Sequence, residues 1–485
     1  MKTSLLEKHL SDLFEEWAGV SPELMLPLAP SGSARIYYRL QYDGKSAIGT
    51  YSPNRQENEA FVGFSRHFHA KGLPVPEIYV EQLDNNVYLQ EDLGATTLYS
   101  YLLQRDDGPF PNHLMTIYKR VVEDLARVQI KGGQGLDYSK CFPRAVFDQQ
   151  SMLWDFNAFK YQFLRLAGTD FNEQRLEEDA HRLANFLLEA GTDHFMYRDF
   201  QSRNIMVRGG KPFFIDYQGG RRGALQYDLA SLLYQAKANI PDEHREALLD
   251  HYLDTATQLT KIDRAAFRRY YYGFVLMRSV QVLGAYGLRG LYERKEHFLK
   301  SIPFALDNVQ ELFSQGRIAV ELPELKKAIE QVVASGQFEP FDTERGEQSL
   351  LTVRIHSFSY KKGGIPPDPS GNGGGFTFDC RFLHNPGRYE PYKQLTGRDE
   401  PVINFLQHHS KMGEFLNDVF RIVDEAVENY IERSFTNLMV SFGCTGGQHR
   451  SVYAADALAK HLKEKYGVAL ELEHIEQEKK NWINK

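Results

Sequence analysis

An α+β two-lobed unit followed by a smaller α/β domain is the architecture this sequence predicts, and three observations predict it. Residues 1–94 alternate hairpin-like and helical patterns, whereas residues 95–338 read as almost entirely helical. After a polar stretch the pattern resets to strand–helix–strand–helix, which implies a parallel or mixed sheet. A length of 485 residues fits roughly three structural units at about 150 residues each.

Leu5, Leu6, His9, Leu10, Leu13, Phe14 and Trp17 recur at helical spacing, so the opening is an amphipathic helix. Arg35–Leu40 and Ser46–Tyr51 read as strands around the turn Tyr42-Asp43-Gly44-Lys45. Glu57–Lys71 is helical and closes at Gly72; Glu77–Val80 and Asn86–Glu91 are two further strands. The helical half is broken once, by two short β segments at Asn204–Val207 and Pro212–Tyr217 joined through Arg208-Gly209-Gly210-Lys211. Helices are expected over Ala265–Leu288 and Pro323–Ala334. Residues 335–350 (SGQFEPFDTERGEQSL) are polar and poor in aliphatics, which places a linker at 339–350 between domains at 1–338 and 351–485. Beyond it come strands at Leu351–Ser359, Phe376–Phe382, Thr436–Phe442 and Val468–Glu473, with helices at Met412–Arg433 and from Ser451.

Apolar residues make up 42% of the chain and charged residues 25%, which excludes collagen-like, wholly disordered and disulfide-scaffold classes. Cys141, Cys380 and Cys444 are too few for a disulfide framework, so a reducing compartment is expected. No apolar run reaches the ~18 residues of a membrane span, so no membrane partner is expected. Residues 1–20 lack the basic, apolar and small-residue regions of a signal peptide, and a cytoplasmic protein follows. The net charge of −7 gives no global attraction to nucleic acid, so RNA binding would need a local patch.

The break in the helical half carries chemistry. It reads Tyr197-Arg198-Asp199-Phe200-Gln201-Ser202-Arg203-Asn204, then Phe214-Ile215-Asp216-Tyr217 after the hairpin. Phosphoryl transfer needs one carboxylate at the attacking hydroxyl and hard oxygen ligands holding magnesium against a triphosphate. Asp199 suits the catalytic role; Asn204 and Asp216 suit the metal.

These residues make 1–338 resemble the aminoglycoside phosphotransferase family, a branch of the protein-kinase-like fold. YRDFQSRN matches its catalytic loop, IDYQ its metal-binding segment, and Gln226-Tyr227-Asp228-Leu229-Ala230 a block whose Asp braces the loop. Within that family the resemblance is to anomeric kinases for N-acetylmuramate and N-acetylglucosamine, through SGSARIYYRL (31–40), LPVPEIY (73–79), LQEDLG (89–94) and the run from RDFQSRNIMV to IDYQGG. It implies ATP and Mg2+ as cofactors, a sugar as substrate, Ser31-Gly32-Ser33 as the phosphate-covering turn, and Gln90 and Glu91 in the hinge that receives adenine. SAIGTY (46–51) offers no lysine for the phosphates; Arg35 or Arg39, on one side of the preceding strand, stand in for it. A lost lysine also fits a non-catalytic nucleotide-binding adaptor.

The second constellation is Cys444-Thr445-Gly446-Gly447-Gln448-His449-Arg450-Ser451, between a strand and a helix. Glycines let backbone N–H groups converge on an anion, the helix start adds its dipole, and Arg450 adds a two-pronged contact. Three readings stay open: a glycine-rich turn around a buried Cys; a pocket for a phosphorylated or nucleotide-bearing ligand; and a Cys444 nucleophile at C-x5-R spacing, with Asp379 or Asp399 as acid. SFSYKKGGIP (357–366), FDCRFLHNP (378–386), LTGRDEPV (395–402) and GCTGGQHRSV (443–452) resemble the C-terminal domain of RapZ-type RNase adaptor proteins. That resemblance implies an amino-sugar phosphate or nucleotide-sugar effector, RNA as a partner and homo-oligomers. Lys361, Lys362, Arg381, Arg388, Lys393, Arg398 and Arg450 are the residues that would form a basic patch.

Overall fold

The computed structural model describes residues 3–28, 34–103, 105, 109–341, 351–368, 370, 375–432, 435–466 and 468–478. The chain divides into two units, Met1–Arg345 and Gly346–Lys485. Residues 342–350, most of the expected linker, lie outside the described residues. Among the described residues no helix is long and apolar enough to cross a membrane.

In the first unit, helix α1 (Thr3–Ala18) precedes strands β1 (Leu24–Pro27), β2 (Ile36–Tyr42) and β3 (Lys45–Tyr51). Helix α2 (Arg55–Ala70) follows, then β4 (Ile78–Gln82) and β5 (Val87–Glu91). The sheet is antiparallel throughout, in the order β1-β2-β3-β5-β4. Asp43 and Gly44 take φ of 39° and 76°, the two left-handed residues of a tight hairpin turn between β2 and β3. The periodic residues Leu6, Leu10, Leu13 and Phe14 bury themselves against Tyr38, Leu40, Ala47, Val87 and Leu89, so α1 covers one sheet face. Gly49 permits this approach: a Cβ there would sit 2.8 Å from Leu40 Cδ1 and 3.0 Å from Leu10 Cδ2. Asn54 caps α2 by accepting from Glu57 N at 3.3 Å. The buried face of α2 joins the sheet to the helical lobe, with Phe61 stacked on Tyr217 at 4.9 Å and Phe68 edge-on to Phe195 at 5.1 Å.

The helical lobe holds four short strands: β6 (His194–Met196), β7 (Ile205–Arg208), β8 (Lys211–Phe214) and β9 (Arg221–Gly223). They pair as β6-β9 and β7-β8, the latter turning through Gly209 and Gly210 at φ of 57° and 72°. The strand expected to run to Tyr217 ends at Phe214, because Asp216 adopts φ +71° and leaves the pleat. The long helix Arg264–Tyr286 packs behind this region, and Pro323–Ala334 is helical over the expected range.

The second unit is a parallel sheet ordered β11-β12-β10-β13, with β10 at Thr352–Ser359, β11 at Phe376–Asp379, β12 at Asn437–Cys444 and β13 at Ala469–His474. The core strand β12 is buried from Leu438 to Cys444, as a central parallel strand must be. The helix Arg450–Lys465 packs on β10, β12 and β13. β11 stops three residues before the expected Phe382, since the Asp379 carboxylate accepts from Arg381 N at 2.8 Å and starts a tight turn. β1, β6 and β9, each three or four residues long, and the helix Glu400–His408, which opens on Pro401, carried no pattern that was read.

Candidate functional site

The segment between β6 and β9 is held from beneath by one buried carboxylate. Asp228 accepts from Tyr197 N at 2.7 Å, Arg198 N at 2.9 Å and Gln129 Nε2 at 2.8 Å, while Gln129 Oε1 accepts from Tyr252 OH at 2.6 Å. These bonds fix Arg198 at φ +84°, a costly conformation for a residue with a side chain. Its guanidinium is pinned by Asp155 at 2.6 and 2.7 Å and by Tyr227 OH at 2.6 Å. The braced turn presents Asp199, whose side chain is 51% exposed and lies 3.4 Å from Arg278 Nη1.

Asn204 Nδ2 donates to the Asp199 carbonyl at 2.9 Å and to Asp216 Oδ2 at 3.3 Å, which leaves the amide oxygen of Asn204 uncommitted by these bonds. Asp216 also accepts from Gln218 Nε2 at 2.7 Å and from Arg35 Nη1 at 3.2 Å. Arg35 is 5% exposed, and its Nη2 meets Glu57 of α2 at 3.0 Å. Burial pushes the Asp216 carboxyl up; Gln218 and Arg35 oppose it, and the charges of Asp199 and Glu57 add to the rise. A carboxylate pressed by two others, beside an amide oxygen, is a donor set that suits a hard divalent cation. Among the described residues no group of three or more His, Cys, Asp or Glu is placed to hold a metal, so phosphate oxygens would complete such a shell.

Ser31, Gly32 and Ser33 lie outside the described residues. Arg35, just before β2, and Arg39, within it, reach different partners. Arg39 donates to Asp92 at 2.7 and 3.1 Å and to Gly94 O at 3.0 Å, at the end of β5, away from Asp216. Gln90 is buried, and Glu91 meets Arg208 of the β7-β8 hairpin at 2.6 Å. Glu57, Gln218, Arg278, Asp155 and Gln129 complete the network without having been singled out; only Gln218, two residues past Asp216, had a local signal.

Asp228 also makes the site sensitive to pH. Burial pushes its carboxyl from the ordinary 3.8 up to about 6, against the pull of its N–H donors. A raised carboxyl contributes stability that is complete below 3.8 and lost as pH rises through about 6. Relative to Asp228→Asn, which cannot titrate, the protein should therefore gain about 2 kcal/mol between pH 7 and pH 4, read from paired denaturant titrations.

In the second unit, the loop from β12 to the helix Arg450–Lys465 turns its carbonyls outward. Cys444 O accepts from Tyr360 N at 3.1 Å, Thr445 O from Ser359 Oγ at 2.8 Å and Gln448 O from Gly397 N at 2.9 Å. Gln448 Nε2 donates to Lys393 O and Leu395 O, and His449 Nε2 contacts Tyr392 O at 2.8 Å. Those two side chains brace a neighbouring segment, residues 392–395. Cys444 is 3% exposed, with Ser451 Oγ 3.2 Å from its sulfur. Gly446 opens onto free space, and Gly447 sits at φ +64° with Glu476 Cγ 2.6 Å from where a Cβ would be. Gly447→Ala should cost the second unit more than ~1 kcal/mol, a loss visible as a lower thermal midpoint.

The basic residues of this unit spend much of their charge internally. Arg381 pairs with Asp379, Lys393 with Glu390 and Arg398 with Asp456, while Arg450 is buried on the carbonyls of Arg381 and Leu383. Counterion release on RNA requires uncompensated cations, and this pairing compensates three of the seven expected ones, while burial takes Arg450 off the surface.

A model of the phosphotransferase enzyme family matches residues 26–268, and one of the RapZ C-terminal domain matches residues 351–478. Among curated proteins, a nucleotide-binding protein of Acinetobacter baylyi is 36% identical over 137 residues, 28% of this chain and 45% of that protein. One of Thermosipho melanesiensis is 41% identical over 119 residues, 24% of this chain and 41% of that protein. The chain thus spans less than half the length of these relatives. Similar solved structures include a choline kinase of Cryptosporidium parvum (12% identity, TM-score 0.47, 68% of this chain and 99% of that one). Another is an amicoumacin kinase in complex with AMP-PNP and Ca2+ (13% identity, TM-score 0.46, 67% and 97%).

Proposed function

From the premise that this chain belongs to the phosphotransferase enzyme family, we propose that it is an ATP- and Mg-dependent kinase acting on a sugar hydroxyl, the anomeric one of an N-acetylhexosamine. The observation that carries the reading is the convergence of Asp199, Asn204 and Asp216 beside the buried Arg35–Glu57 pair. Asp199 orients the acceptor hydroxyl and takes its proton. Asn204 and Asp216 hold the divalent ion, which when bound neutralises phosphate charge. Arg35, kept in place by Glu57, steadies the phosphates that a lysine within residues 46–51 would otherwise hold, and the hinge that leaves β5 after Gln90 and Glu91, whose own N–H is taken by Glu77 O at 2.9 Å, receives adenine. The choice of sugar rests on the motifs shared with anomeric amino-sugar kinases and on the RapZ C-terminal domain in the same chain. In this account the second unit, residues 351–485, senses a phosphorylated sugar or nucleotide sugar, in a cytoplasmic and self-associating protein.

A nucleotide- and RNA-binding adaptor without catalysis is the competing reading, favoured by the absence of lysine from residues 46–51; Lys45, the first residue of β3, donates to Ala18 O at 2.9 Å. Sugar-dependent, stoichiometric conversion of ATP to ADP separates the two. Arg35 supplies a sharper test. Arg35→Ala should lower kcat/KM for ATP by about 10²-fold, and Arg35→Lys should restore part of it. Arg39→Ala, on the Asp92 side of the strand, should leave the rate nearly unchanged; the reverse order would remove Arg35 from the phosphate role.

A further inference from the structure

The loop Cys444–Ser451 has features that binding alone does not require. The Cys444 sulfur and the Ser451 hydroxyl lie 3.2 Å apart. Burial pushes this thiol up, yet the Ser451 hydroxyl, the backbone of Ser451 and Gln448 and nearby Arg450 outweigh it and hold the thiol below its ordinary value. Arg450 is 3% exposed and commits Nη1 to two carbonyls, Arg381 O at 2.9 Å and Leu383 O at 2.8 Å. Its Nη2 reaches only Thr445 Oγ1, at 3.5 Å, and its Nε is buried with no hydrogen-bond partner. The Nε–Nη2 edge is the one a guanidinium offers to two oxygens of a phosphate. It lies beside the Cys444 sulfur, in a loop whose Thr445 and Gln448 carbonyls are taken up by neighbouring segments, with open space over Gly446.

We propose that this loop hydrolyses small phosphate monoesters, with Cys444 as nucleophile and Arg450 as the phosphate clamp. The Cys444 thiolate attacks phosphorus: an S–P bond forms, the ester O–P bond breaks, and the leaving oxygen takes a proton from water. A second water then attacks the phosphocysteine, the S–P bond breaks, and orthophosphate and the thiolate are regenerated. Net, one monoester and one water give an alcohol and orthophosphate. The proposal rests on the reading of this loop as an anion site.

The test uses the full chain with para-nitrophenyl phosphate, whose leaving group needs no acid, in EDTA and without nucleotide so that the kinase centre is silent. Hydrolysis that falls to the buffer blank in Cys444→Ser, with an unchanged thermal midpoint, is expected. Rapidly quenched wild-type protein should carry a phosphate adduct on the Cys444 peptide, a readout that stands even if the variant fails to fold. Thermal stabilisation by orthovanadate with neither turnover nor adduct would overturn hydrolysis and leave the anion site standing. No stabilisation and no turnover would overturn both.

Discussion

Asp199→Ala should lower kcat by roughly 10²–10⁴-fold while ATP affinity stays nearly unchanged. The asymmetry follows from what Asp199 touches. Its carboxylate is half-exposed and lies 3.4 Å from the buried Arg278 guanidinium, which keeps its bond to Gln281 Oε1 when the carboxylate is removed. Asn204 is anchored on the Asp199 backbone carbonyl, not its side chain, so the metal ligands keep their place in the variant. Asp216→Ala should behave differently, because it strips the metal set and releases Arg35 and Gln218; the apparent Mg2+ requirement should then rise together with the loss of rate. Steady-state kinetics with a magnesium titration, beside calorimetric titration of ATP, distinguishes the two variants. Full activity in Asp199→Ala would remove it from the catalytic role.

Asp228→Ala should destabilise the first unit by about 3 kcal/mol and abolish activity with it. Two effects compete. Removing the carboxylate orphans three donors, the N–H groups of Tyr197 and Arg198 and the amide of Gln129, at ~1–3 kcal/mol each. It also relieves the cost of burying a charge, which the rise of this carboxyl to about 6 registers. The donors win because two are backbone groups of a turn held at φ +84°, and neither can rotate toward water. Denaturant midpoints measure the loss. A variant as stable as the parent, but inactive, would make Asp228 a participant in the reaction instead of its brace.

The grouping of Asp199, Asn204 and Asp216 was legible because they flank one short hairpin, β7-β8, and phosphoryl transfer prescribes residues of these types for the role proposed. The arginine question was not. Arg35, just before β2, and Arg39, within it, stand four residues apart, and only the placement of α2 and the end of β5 sends one to Glu57 and Asp216 and the other to Asp92. Those partners are remote in sequence, so no local pattern chooses between them. The same holds for Gln448 and His449, whose side chains answer to carbonyls more than fifty residues earlier. The sheets followed from hydrophobic alternation, but a four-residue strand such as β1 has too few positions to show one. The break at Asp216 is a tertiary effect: Arg35 and Gln218 hold its carboxylate where the pleat would not.

The central claim is that the first unit transfers a phosphoryl group from ATP to an amino sugar. Phosphorus NMR of reactions containing MgATP and N-acetylglucosamine, N-acetylmuramate, glucosamine, choline or kanamycin tests it most directly. The account predicts a new anomeric phosphate resonance with an N-acetylhexosamine, growing in step with ADP and absent in Asp199→Ala. Nucleotide binding without any phosphorylated product across the panel, or a product only on choline or kanamycin, would contradict it.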